Sequence, residues 1–380
     1  MTTGFYASSQ IFKFLRPLVF VLCIVCTCAK HPAFAKEADI DRLRSAAELG
    51  SVDSEMALGN MYFKGSGVDQ DNARAAYWYE KAANAGNPVA EQQIGYFYET
   101  GTGVTKDEAR AVHWYRLASA NGNTDAKVNL AMSYLWGMGT ARDQATAMRL
   151  LNEAAQSHNA SAMTDLGDIY FNGVGMERDV KAGTEWFERA AKLHDCLAEF
   201  RLGIILSSPA MQSIELHRAL TLLQHSANDG FVPAMHAFGL LLVNHPELSS
   251  SHDEAITALN EAANAGMWRS NVVLGILARK GQWVPQDPAN AYFRFRAAAM
   301  QGGAVAESLV RSDIDELSMT LGPGQVALID QQASAWATKH SVVFDRIYKS
   351  NGSWKNRAGY GRLQPGSDEH AGVLVPNSPY

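Results

Sequence analysis

Cysteine is scarce in this 380-residue chain, and three of its four cysteines, Cys23, Cys26 and Cys28, fall near the N-terminus. Cys196 stands alone beyond them, so no internal disulfide framework can form there. The sequence also lacks a His-Glu-x-x-His helix and any Ser-x-x-Lys nucleophile arrangement, and beyond residue 35 it has no cysteine pair for zinc. Basic residues are in deficit, 33 Lys and Arg against 39 Asp and Glu, which leaves no electrostatic footprint for a nucleic acid. Long apolar runs are missing too: Leu18 to Ala29 is too short for a comfortable membrane span. No catalytic, metal or cofactor site is nominated by these patterns, and no nucleic-acid partner.

What the N-terminus does have is the layout of a signal peptide. Lys13 and Arg16 precede the apolar run, and Ala33-Phe34-Ala35 supplies a small-x-small cleavage pattern. The three early cysteines follow Leu22, Val25 and Thr27, whereas a lipidated cysteine normally follows a small residue. Residues 1–35 are therefore expected to be removed after Ala35, leaving no stable membrane insertion. Loss of Lys13, Arg16 and Lys30 shifts the net charge from −6 to −9. A periplasmic or secreted protein is the expectation for a Gram-negative source.

The rest of the chain is periodic at 36 residues. With Gly59 as a marker, the equivalent positions are Gly95, Ala131, Gly167, Gly203, Gly239 and Gly275, in register without an insertion. Such a period signals a repeat array. Within the first copy, Ser54, Leu58, Met61 and Tyr62 share one face of a helix, and Ala75, Trp78, Tyr79, Ala82 and Ala83 share one face of a second. Gly59 and the alanines leave room for close helix approach. Asp71 and its counterparts Asp107, Asp143, Asp179, Glu215, Ser251 and Asp287 are placed to cap the second helix. Gly86 ends it, and Asn87, Asn123, Asn159 and Asp195 cap the next first helix.

The string Ala57-x-Gly59-x-x-Tyr62-x-x-Gly65-x-Gly67-Val68-x-x-Asp71, with Ala75, Trp78-Tyr79 and Ala82-Ala83, resembles the Sel1-like repeat, a relative of the tetratricopeptide class. The resemblance implies an all-α fold, an α/α solenoid with a right-handed superhelix, used to bind other proteins. Seven copies span 51–302, with a half repeat at 36–50, capping helices at 303–348 and a disordered tail at 349–380. A solenoid needs a cap because its last repeat otherwise exposes apolar surface. On the second capping helix Val326, Ile329, Ala333 and Trp336 fall on one side. The tail contains Trp354 and Tyr360 as possible docking contacts.

Paired loop glycines such as Gly65/Gly67 and Gly101/Gly103 lack the third glycine of a dinucleotide fingerprint and read as turns. Repeats five and six abandon them. Cys196 reads as a small residue packed at a repeat junction, and Trp78, Trp114 and Trp186 as packing residues. His158 and His194 stand where other repeats place the glycine that ends the second helix, which suggests capping rather than metal binding.

The functional expectation is a noncatalytic scaffold or adaptor of the bacterial envelope with an unidentified envelope protein as partner. A subunit of an exopolysaccharide or other envelope assembly machine is the alternative. An enzyme resembling the penicillin-binding branch of the same repeats is a third class, and the paired cysteines of that branch are missing. At 100° per residue, marker positions −3 and +1 point away from the core stripe. They change from Met56/Asn60 and Thr164/Asp168 to Phe200/Ile204, His236/Leu240 and Val272/Ile276 in the last three repeats. In related superhelices first helices line the concave surface, so these six residues are the expected partner groove. N-terminal sequencing of the exported protein is expected to begin at Lys36. A start at a lipid-modified cysteine, or retention in the cytoplasm, would contradict that expectation.

Overall fold

A computed structural model describes residues 32–208, 213–249 and 251–340. Most of the predicted signal peptide and the predicted tail, with Trp354 and Tyr360, lie outside the described residues. All regular structure within them is helical. The chain divides into two units, one up to Asn121 and one from Gly122 onward.

The first unit comprises α1 (Pro32–Glu48), α2 (Val52–Lys64), α3 (Asn72–Asn84), α4 (Pro88–Thr100) and α5 (Glu108–Ala120), each packed on the helix before it. α1 begins ahead of the expected cleavage position and runs through it. The second unit holds α6 (Thr124–Trp136), α7 (Gln144–Gln156), α8 (Ala160–Asn172), α9 (Val180–Ala191) and α10 (Cys196–Leu206). It continues with α11 (Ser213–Asn228), α12 (Val232–Asn244), α13 (Asp253–Asn264), α14 (Trp268–Lys280), α15 (Pro288–Leu321) and α16 (Pro323–His340). Here too successive helices pack in chain order. This is the helical-repeat solenoid expected, and repeats five and six keep its helix pairs although their loops diverge.

One contact is built into every repeat. The residue 20 positions after the marker is Tyr79, Tyr115, Leu151, Phe187, Leu223, Leu259 or Phe295, and each has at most 1% of its surface exposed. It lies directly on the marker of the facing helix. A methyl group placed on Gly59 or Gly95 would stand 2.7 Å from the ring of Tyr79 or Tyr115, and one on Gly167 only 2.5 Å from Phe187. Repeat three compensates in both positions, pairing Ala131 with the smaller Leu151. The tyrosine at +3 varies more: Tyr62 and Tyr98 are buried, while Tyr134 and Tyr170 are partly exposed.

Helix ends follow the same register. Asp71, Asp107, Asp143, Asp179 and Asp287 accept the backbone N–H three residues on, at 2.9–3.0 Å. Glu215 does not cap, because α11 starts at Ser213 and places it in the first turn. Ser251 sits two residues before the first helical residue, one before the N-cap position, and its hydroxyl accepts the N–H of Asp253 at 3.1 Å. The loop glycines are turn residues, as expected. Gly103 at φ 68° would drive a side chain to 2.1 Å from the carbonyl oxygen of Asn72 in the preceding repeat. In repeat seven this position is Trp283, held at φ 64°, and its ring stacks on His252, the counterpart of Asn72, at 4.2 Å.

The closing segment packs on repeat seven. Gly303, at φ 60° and ψ −147°, breaks α15 into the second helix of that repeat and a capping helix. Val310, Leu317 and Ile329 join Tyr292 and Phe295 in one core cluster, and Val326 packs against it. Ala333 is buried, and Trp336 meets Phe293 edge-on at 6.0 Å. The outer side retains exposed Val305, Met319 and Leu328.

Deleting the ring in Tyr115→Ala should cost about 3–5 kcal/mol, and crowding it in Gly95→Ala about 1–3 kcal/mol. Removing the junction cap in Asn87→Ala, which accepts from Val89 and Ala90, should cost about 1 kcal/mol. Urea melts of the three variants beside the parent check this order; a silent Gly95→Ala would refute the close-approach argument.

Candidate functional site

The six stripe residues do not stand free of the fold. Val272 is only 4% exposed and belongs to the core cluster of Tyr292 and Phe295, which removes it from any partner surface. Phe200, Ile204, His236, Leu240 and Ile276 are partly buried. The reason lies in the neighbouring first helix. Position −3 of one repeat meets the N-cap or first turn of the next, and position +1 meets the next −2 region. In repeat four these contacts are polar: Thr164 donates its hydroxyl hydrogen to Asp195 at 2.9 Å, and Arg201 pairs with Asp168 at 3.1 Å.

From repeat five onward most of these contacts become apolar, His236 with Ser270 being the exception. Phe200 meets Phe231 with ring centroids 5.2 Å apart. Phe231 occupies the junction position where Asn87, Asn123, Asn159 and Asp195 cap, and it makes no side-chain cap bond. Met267 likewise replaces the cap at the next junction. Leu240 packs on the cluster containing Val273, Leu274 and Leu277, and Ile276 on that of Tyr292 and Phe295. The residues therefore form a continuous inter-repeat seam with a partly exposed outer edge.

Other features are chemically sparser. A shallow recess of about 340 Å³ opens beside Tyr98, Lys106, Asp107 and Arg110. Cys196 is buried and takes part in no disulfide, and Ser226 donates to its carbonyl at 2.6 Å. His158 and His194 both take φ 58°, the left-handed conformation that the register position demands. The structure also assembles His194, Glu199 and His225, which sequence reasoning missed. No short motif contains all three. The available signal was positional, since Glu199 and His225 occupy the same repeat positions as Lys127 and Glu153, which pair at 3.2 Å. Among the described residues, no helix is long and apolar enough to cross a membrane.

His236 is the one titratable residue among the six stripe positions of repeats five to seven. Its Nδ1 lies 2.9 Å from the Ser270 hydroxyl. Burial first, and the positive charge of Arg269 second, push its pKa down to about 4. The unfolded chain then takes up a proton near pH 6.5 that the folded chain refuses, so stability falls as pH drops from about 6.5 toward 4. Between pH 7.5 and pH 5 this should remove about 2 kcal/mol. Urea titration of the parent and of His236→Gln at both pH values tests it, since the glutamine variant should lose that much less. Equal losses would show that His236 titrates normally.

Five stretches match the Sel1 repeat family model: residues 52–87, 88–123, 124–159, 160–195 and 270–303. The divergent repeats five and six fall in the gap. A comparison with curated proteins returned no match. Among solved structures, the chain is similar to a Sel1 repeat protein from Oxalobacter formigenes at 26% identity and a TM-score of 0.51, over 60% of this chain and 99% of that one. It is similar to a protective antigen of uropathogenic Escherichia coli with an SLR fold at 22% identity and a TM-score of 0.45, over 83% and 74% of the two chains. An immunity protein from Pseudomonas aeruginosa matches at 18% identity and a TM-score of 0.34, over 64% of this chain and 89% of that one. The repeat model, the solenoid helix pairs and the Oxalobacter structure agree: the chain is a Sel1-repeat protein.

Proposed function

We propose that this protein is an exported, noncatalytic scaffold that binds an envelope protein along the first helices of repeats five to seven. Sel1-repeat proteins are protein-interaction scaffolds. The single observation that carries the more specific reading is the change in the seam, from Thr164, Asp168 and Arg201 to Phe200, Ile204, Leu240 and Ile276, while the marker contact stays constant. Apolar side chains that keep some exposure at neighbouring repeats supply the contiguous surface on which a protein partner gains affinity. Phe200, Ile204, His236, Leu240 and Ile276 are the proposed contact residues. The basic start, apolar run and Ala-x-Ala pattern support export to the periplasm or beyond.

Capture from cross-linked intact cells tests the reading. The parent should retain a defined protein that Ile204→Ser with Leu240→Ser loses, while circular dichroism shows both chains folded. Retention of the same partner by the variant would move the site elsewhere. Unfolding of the variant would assign the pair to the seam alone, and the surface reading would then rest on Phe200→Ser. If that variant also kept the partner, the proposed face would be wrong.

A further inference from the structure

We propose that His194, Glu199 and His225 form a binding site for one divalent transition-metal ion of the zinc class at the junction of repeats four and five. The three residues come from separate parts of the fold. His194 lies in the turn after α9, Glu199 in the first turn of α10, and His225 in the last turn of α11. Their candidate ligand atoms all lie within 4.8 Å of one another. Nδ1 of His194 is 3.4 Å and Nδ1 of His225 is 3.8 Å from the same carboxylate oxygen of Glu199. Ligand atoms about 2.1 Å from a tetrahedral zinc ion stand about 3.4 Å apart, so small rotations of the two rings complete the geometry. The rings are free to make them, with 79% and 51% of their side chains exposed, whereas the Glu199 side chain is fixed at 2%.

The second observation is the unmet demand of that carboxylate. Glu199 is almost wholly buried, and its Oε2 has no hydrogen-bond partner. Repeat two shows how the same position is satisfied: the Asn121 side-chain amide donates to both oxygens of Glu91, at 2.9 and 3.0 Å. The repeat-five counterpart of Asn121 is Asp229, which as a carboxylate has no hydrogen to give. Glu55, at the same position in repeat one, also leaves a buried oxygen unpartnered, but its counterpart of His225 is Lys81 and of His194 is Gly50.

The donor set selects the ion. Two imidazoles and one carboxylate suit zinc, nickel, copper or ferrous iron and disfavour calcium and magnesium, which want oxygen ligands. Three protein ligands leave a coordination position open to water or to a partner's side chain. The bond from the Ser226 hydroxyl to the Cys196 carbonyl ties the start of α10 to the end of α11 and holds Glu199 and His225 in register without the ion.

Isothermal titration of the untagged chain from Lys36 onward with zinc sulfate, in chelator-treated buffer at pH 7.5, tests the site. The expected result is one zinc ion per chain, bound at least tenfold more weakly by His194→Gly, His225→Ala and Glu199→Gln. His194→Gly restores the residue that other repeats carry at this left-handed position, so its thermal melt in EDTA should match the parent. His158→Gly, the same position one repeat earlier, should bind zinc as the parent does. Absence of a saturable zinc site would overturn the proposal. So would unchanged zinc affinity in the His194→Gly, His225→Ala double variant.

Discussion

The close approach between the marker residue and the side chain 20 positions later sets the geometry of every repeat. A helix pair can bring its axes together only where one side presents no Cβ, or a single methyl group, to the other. Six of the seven repeats use glycine, and each would place an added methyl 2.5–2.7 Å from the facing side chain. The large side chain gains full burial there, on the order of 2–3 kcal/mol for a phenylalanine or leucine. Glycine in a helix interior costs about 1 kcal/mol relative to alanine. The contact therefore outweighs the propensity penalty, and it does so once per repeat. Because each repeat stacks mainly on its neighbours, the stability of such an array is close to a sum of these local terms.

The second constraint acts between repeats, and here the chain has changed its chemistry. Up to repeat five the junction cap is an Asx or serine side chain, and in repeat four Thr164 and Arg201 join the polar seam. Phe231 and Met267 then give up the cap bond, worth about 1 kcal/mol, for apolar contact across the seam. A buried aromatic pair contributes about 0.5–1.5 kcal/mol beyond its area, so the exchange is close to neutral for the fold. Near-neutrality lets the seam vary without loss of the helix pairs. Repeats five and six, which drop the loop glycines as well, retain the same pairs.

The repeat period, the caps at Asp71, Asp107, Asp143, Asp179 and Asp287, and the αL turns were all legible in the sequence. Each depends on a residue type acting within one or two helical turns, so a linear string contains the information. The close contact was half legible: small residues at the marker announced proximity, but not that the +20 side chain was the neighbour. The outward stripe was misread because a single-helix projection shows only which side faces the partner helix of the same repeat. It cannot show that Val272 joins the closing core, or that Phe200 and Leu240 pack on the next repeat. Glu215 misled for a related reason, since α11 starts three residues earlier than the 36-residue register requires.

The histidine cluster shows how a repeat scaffold can acquire a site that no local pattern reveals. Positions fixed by close approach, such as Gly203 against Leu223, admit no substitution that adds chemistry. Positions governed only by backbone conformation are looser: His194 accepts φ 58°, which is uncommon outside glycine but allowed for histidine. Cross-helix polar positions are looser still. The same pair of positions holds Lys127 with Glu153 in repeat three and Glu199 with His225 in repeat five, with the carboxylate moved to the other helix. A residue drawn from each class meets at one junction only because the period places them there. The strict register that keeps the fold uniform thus turns unrelated single changes, far apart in sequence, into one constellation.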